Sequence, residues 1–161
     1  MKKSTFIGNL VAFIVLVIAT TSFLAWYHLS DPGVVLEAIT DAPWAQIGVV
    51  LAAPVLLYAV GAILGLIVVW LKNVTFGRGV RMAFRIVSAL MIALFVLSVI
   101  PVFLPDTGSA LMGPVVVVFY VSRLAPVFIV LLGFLYPLAL APLDKSKRGA
   151  FAKYLPDDHF E

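Results

Sequence analysis

Long uncharged runs, broken by short polar stretches, organise this chain. The longest runs from Trp44 to Leu71, carries no charge, and has Gln46 as its one strongly polar side chain. At ~1.5 Å per residue it makes a helix of ~40 Å, enough to cross a bilayer core of ~30 Å with some tilt. Its small residues are ordered. At 100° per residue Gly48, Ala52, Ala59 and Ala62 share one stripe, and Gly61 and Gly65 a second beside it. Val49, Leu56, Leu57, Val60, Leu64, Ile67 and Leu71 face the other way and suit lipid tails. Helices in a membrane associate by close packing, so two small stripes predict two protein neighbours.

Three further runs have similar character. The pattern predicts four spans, at residues 6–27, 44–71, 86–104 and 114–141, followed by a tail over 142–161. The fold class expected is an all-α four-transmembrane-helix bundle forming a single membrane domain. The first run also fits a secretory signal peptide after Lys2 and Lys3, but it is long for one and is taken as a span. Between the first two spans, Asp31-Pro32 reads as an N-cap with proline at the first helical position. Val34, Val35, Ala38, Ile39 and Ala42 then recur at helical spacing opposite Glu37 and Asp41, predicting a short surface helix.

Composition agrees with this division. The chain is 161 residues, 63% hydrophobic and 12% charged, whereas a soluble domain carries about 25% charged residues. The net charge of +3 marks topology rather than nucleic-acid binding. Ten of the eleven Lys and Arg lie in the N-terminus, the middle loop (Lys72, Arg78, Arg81, Arg85) and the tail (Lys145, Lys147, Arg148 among them). By the positive-inside rule both termini and the middle loop are expected on the cytoplasmic side of a cell membrane, in keeping with a bacterial cytoplasmic membrane.

The eleventh basic residue, Arg123, falls inside the fourth span, where a charge costs at least ~2.5 kcal/mol at mid-bilayer. Counting from Pro114 puts it near the middle; counting back from Pro142 puts Ser122 at the outer surface. The apolar region is too long for one upright span, so either Pro126 kinks it or Val115 to Tyr120 lies shallow. Two readings stay open. Arg123 snorkels to lipid phosphate or to Asp106, Glu37 or Asp41, or it faces a cavity with Tyr58, Tyr120 or Thr20 to Ser22 as partners and attracts an anion or lipid headgroup.

All eight carboxylates lie outside the spans, so no intramembrane proton or sodium relay is expected. Cys is absent, His28 and His159 are expected on opposite sides, and no catalytic grouping assembles. No cofactor or metal is expected. Gly61 to Gly65 forms a small-xxx-small motif that signals close helix contact without naming the neighbour. Leu104-Pro105-Asp106-Thr107-Gly108 resembles the five-residue signal that sortases cleave in Gram-positive surface proteins. It abuts the third span with little room for an enzyme, and is read as a loop. The same turn chemistry follows the first span at Leu29 to Gly33, a faint internal echo. The expected function is that of a small non-catalytic membrane subunit packing with partner chains or with itself. The alternative is an oligomeric channel or carrier for an anionic solute or lipid using Arg123.

Overall fold

The computed structural model describes residues 3–103 and 108–142. It is all-helical there: α1 (Lys3–Leu29), α2 (Pro32–Asp41), α3 (Pro43–Lys72), α4 (Arg78–Phe103), α5 (Gly108–Leu124) and α6 (Pro126–Leu140). Of these α1, α3 and α4 are each long and apolar enough to cross a membrane, and the bent pair α5 and α6 makes a fourth crossing if counted as one. The tail with Lys145, Lys147 and Arg148, the Asp106 loop and His159 lie outside the described residues.

Two expectations change. The fourth span is not one helix: α5 and α6 meet at Ala125 with a bend of 105°. Pro126 causes the break, because proline forbids the preceding residue the α conformation and cannot donate to the carbonyl of Ser122. Ala125 accordingly sits at φ −137° and ψ 58°. The Ala125 N–H closes α5 on the Val121 carbonyl at 2.9 Å, and the Phe128 N–H opens α6 on the Ala125 carbonyl at 3.0 Å. The middle loop is also shorter than 72–85. It begins at Asn73, the α3 C-cap in the left-handed region at φ 45°, and ends before Arg78, so that Arg78, Arg81 and Arg85 already belong to α4. The connector α2 begins as its sequence requires, with the Gly33 N–H donating to Asp31 Oδ1 at 2.8 Å.

α3 is the axis. α1 runs antiparallel to it, with Phe6 stacked on Trp70 at 4.6 Å at one end and Trp26 beside Trp44 at 5.2 Å at the other. Gly48 of α3 lies directly under the Phe23 ring of α1. α6 runs parallel to α3 and shares its most extensive contact with it. Gly61 faces the Val130 carbonyl, Gly65 lies against Phe134 and Pro137, and Gly133 of α6 faces the Tyr58 carbonyl. The two backbones therefore touch along more than two turns. The two small stripes on α3 meet two neighbours, α1 and α6, both in the same chain. Val60, Leu64, Ile67 and Leu71 stay exposed, while Val49, Leu56 and Leu57 are half-buried.

The core that results is narrow. Phe13, Tyr58, Ala59, Ala62, Leu66, Met91 and Ile129 form its centre, and Val69, Leu138 and Ala141 a smaller cluster near the α3–α4 turn. Polar groups inside tie helices together. The Tyr136 hydroxyl donates to Asn9 Oδ1 at 2.9 Å, and Asn9 Nδ2 donates to the Thr5 carbonyl at 2.8 Å, linking α6 to α1. Arg81 Nε donates to the Ala139 carbonyl at 3.1 Å, satisfying one of the last α6 carbonyls from the first turn of α4.

A Cβ at Gly133 would meet the Tyr58 backbone, which cannot swing aside as a side-chain tip can. We expect Gly133→Leu to lower stability by ~3 kcal/mol, the upper end for overpacking, in thermal unfolding followed by circular dichroism in mild detergent. Gly77→Ala, where a Cβ meets nothing within 4 Å, should leave the transition where it is; equal transitions for the two variants would refute the backbone contact.

Candidate functional site

The bend at Ala125 brings the last turn of α5 to the α2 end of α1 and the first half of α3. A groove of about 280 Å³ opens where the three meet. Tyr27 and His28 come from α1, Val50 and Pro54 from α3, and Phe119, Ser122 and Arg123 from α5. Each helix contributes for a local reason. Tyr27 and His28 end α1 in the polar-tipped pattern of an interfacial flank. Pro54 has no N–H to offer the Val50 carbonyl, so a backbone acceptor is freed in the groove wall. Ser122 and Arg123 are the last polar residues of α5 before the proline break.

Arg123 is exposed, and its guanidinium carbon lies 5.2 Å from the centre of the Phe119 ring one turn earlier. Such a stack contributes ~0.5–1 kcal/mol at an exposed site, well short of a charge's cost at mid-bilayer. The α5 C-terminus and the α6 N-terminus meet beside Arg123, so their partial charges of about half an electron oppose each other. The full guanidinium charge therefore sets the sign of the groove. Among the described residues no carboxylate lines it. Ser122 Oγ donates to the Phe119 carbonyl at 2.7 Å, an i−3 bond that still leaves its lone pairs available.

The depth of this site follows from its walls. Tyr27 and His28 immediately precede Leu29, the last residue of α1, and Val50 is ~10 Å down α3 from Pro43. Arg123 thus occupies the half of the bundle nearest α2, opening to the outside of the bundle rather than into its centre.

The other residues singled out in the sequence lie elsewhere. Tyr58 is buried in the core, edge-on to Phe95 at 5.7 Å, and Tyr120 is exposed; neither lines the Arg123 groove. Thr20 turns its hydroxyl to the Leu16 and Val17 carbonyls of its own helix. Glu37 and Asp41 do not line the groove either. Gly48, Ala52, Gly61 and Gly65 serve helix packing within the chain. Lys72 is exposed at the end of α3. Sequence reasoning missed His28 as a companion of Arg123, since the two are far apart in the chain and no spacing rule joins them. It missed Gly133 too, although a lone glycine in an apolar run signals close approach.

A second cavity, about 260 Å³, lies between α4, α5 and α6. Its wall is wholly apolar, with Leu90, Met91, Val118, Val121, Phe128 and Ile129 among its residues, so it offers a ligand shape and no hydrogen bond. Among the described residues no cluster of three metal-ligating side chains occurs. Comparison with known protein families, with characterised proteins and with solved structures finds no match.

Proposed function

We propose that this chain is a small non-catalytic membrane protein that crosses the bilayer four times, the bent α5–α6 pair counting as one broken crossing. Both termini and the α3–α4 turn lie on the cytoplasmic side, and the α2 end lies outside. Its function is to hold an anionic group, a phosphate-bearing headgroup or a small anion, at Arg123. One observation carries this reading: a guanidinium in a groove with Tyr27, His28 and Ser122, with no carboxylate in the wall among the described residues. A charge at an apolar surface draws its counter-ion from outside the groove. Helices interrupted beside a substrate site are a recurrent device of membrane carriers, and the break at Ala125 adjoins Arg123.

A second reading, a subunit of a larger assembly, keeps one specific support. The small stripes of α3 are occupied by α1 and α6, yet α1 buries only Phe13 and exposes Ile7, Val11, Val15 and Ile18 along its length. Acyl chains cover such a face as well as a partner helix does. A mass measurement in mild detergent discriminates: the subunit reading requires a dimer or larger, or a co-purifying chain, and a monomer alone would end it.

Orientation is directly testable because the chain has no cysteine. A membrane-impermeant maleimide added to intact cells should leave Gly77→Cys unlabelled and should label Glu37→Cys. The reverse pattern would overturn the topology. Anion binding is read from tryptophan. Trp26 and Trp44 sit at the α2 end and Trp70 at the other, so a Trp70→Phe background makes the signal local. A short-chain phosphatidic acid should change the emission saturably, phosphatidylcholine of the same chain length should not, and Arg123→Gln should abolish the response. An unchanged titration in Arg123→Gln would remove the residue from the site.

A further inference from the structure

At the other end of the bundle, three arginines share one face of α4. Arg78, Arg81 and Arg85 recur at i, i+3 and i+7, which places them within a narrow stripe, and Met82, Ile86 and Ala89 continue it along the helix. Together these six residues line a groove of about 680 Å³. Its two halves differ in chemistry. Arg78 and Arg81 lie in the first turn of α4, where the helix begins with unpaired N–H groups and a partial positive charge, and Arg85 follows ~10 Å from Arg78. Ile86 and Ala89 lie ~12–16 Å from Arg78 along the axis, just beyond Arg85, and are exposed.

Arg81 is held in place. Its Nε donates to the Ala139 carbonyl at 3.1 Å, which anchors the side chain to the end of α6 and leaves four of its five N–H donors. Arg78 and Arg85 flank it and are exposed. Among the described residues no acidic side chain lines the groove. Asp31, Glu37 and Asp41, the carboxylates among the described residues, all sit on the α1–α3 connection, at the opposite end of α3.

We propose that this groove is a binding site for an anionic phospholipid of the leaflet at the α3–α4 turn. The phosphate lies among Arg78, Arg81 and Arg85, and an acyl chain runs along Met82, Ile86 and Ala89. Charge complementarity selects the headgroup, and Arg is suited to it because its planar fork meets phosphate oxygens two at a time. The apolar half selects a lipid over free phosphate, which would leave those side chains without a partner. Because Arg81 also donates to the Ala139 carbonyl of α6, a lipid phosphate there bridges α4 and α6 across the turn. The site is separate from the Arg123 groove and independent of it.

The test uses the full chain, purified in a mild neutral detergent and examined by native mass spectrometry with phosphatidylglycerol or phosphatidylcholine at equal concentration. With Arg123→Gln in place to remove the other anion groove, phosphatidylglycerol should remain bound as a single adduct and phosphatidylcholine should not, and the variants below are compared in that background. The double variant Arg78→Gln with Arg85→Gln spares the α6 contact of Arg81, and should weaken phosphatidylglycerol binding by about 25-fold, roughly fivefold for each basic residue at an anionic surface. Retention of the adduct in the Arg123→Gln chain separates this site from the one at the α2 end. If the double variant fails to fold, the comparison moves to the Arg123→Gln chain alone in rising salt, where the adduct should be progressively lost. Equal retention of the two lipids, an undiminished adduct in a folded double variant, insensitivity to salt, or displacement of the lipid by millimolar inorganic phosphate would each overturn the proposal.

Discussion

The close approach of α3 and α6, two parallel helices meeting backbone to backbone, is the contact on which the bundle depends. Three glycines make it: Gly61 and Gly65 on α3 and Gly133 on α6. In water such a contact would be one among many, because expulsion of solvent drives any apolar surfaces together. Between lipid tails that drive is absent, and dispersion at short range has to supply the attraction. Glycine shortens the range. Its reciprocal placement, each helix presenting its bare backbone to the other, also fixes the register, since sliding by one turn would drive a Cβ into a carbonyl.

With that register set, the rest of the chain has limited freedom. α6 has 15 residues, ~22 Å of helix, short of a bilayer core of ~30 Å. Docked along α3, it sets its midpoint Gly133 opposite Tyr58 and ends beside the α3–α4 turn, where the Phe76 N–H donates to the Pro142 carbonyl at 3.3 Å. α5 does not prolong α6 along its axis: it joins through a bend of 105° and lies across the bundle. The Arg123 groove is the by-product of this geometry. A straight fourth helix would keep Arg123 on a helix face; the bend carries it to the wall shared by α1 and α3.

Polar groups are placed with the same economy. Asn9 and Tyr136 bond to each other and to backbone, Thr20 and Ser98 bond back to their own helices, and Gln46 Nε2 donates to the Ile39 carbonyl at 2.9 Å, holding α2 to the start of α3. The Tyr58 and Ser88 hydroxyls, both buried, are the exceptions, without a hydrogen-bond partner among the described residues. Among the described residues the carboxylates sit at the α2 end and, apart from Arg123, the arginines lie toward the α3–α4 turn. The two grooves described above therefore differ in setting. One collects scattered polar tips around a single cation, and the other is a ready-made stripe of cations on one helix.

The sequence by itself determined which stretches are helical and roughly where they stop, because hydropathy, caps and prolines act within a few residues of themselves. Asp31-Pro32 starts α2, Pro126 ends α5, and the two small stripes on Trp44 to Leu71 announce two neighbours. It also revealed Arg123 as an anomaly, since a charge in an apolar run is visible without any neighbour. What it left open was every partner. Whether Pro126 kinks a helix or folds it through 105° depends on α3 offering Gly61 and Gly65 to Gly133. That His28 rather than Tyr58 or Tyr120 attends Arg123 depends on where the fold carries the end of α5. Local rules read one helix at a time, while registers and sites arise where helices meet, and only the tertiary structure decides which faces those are.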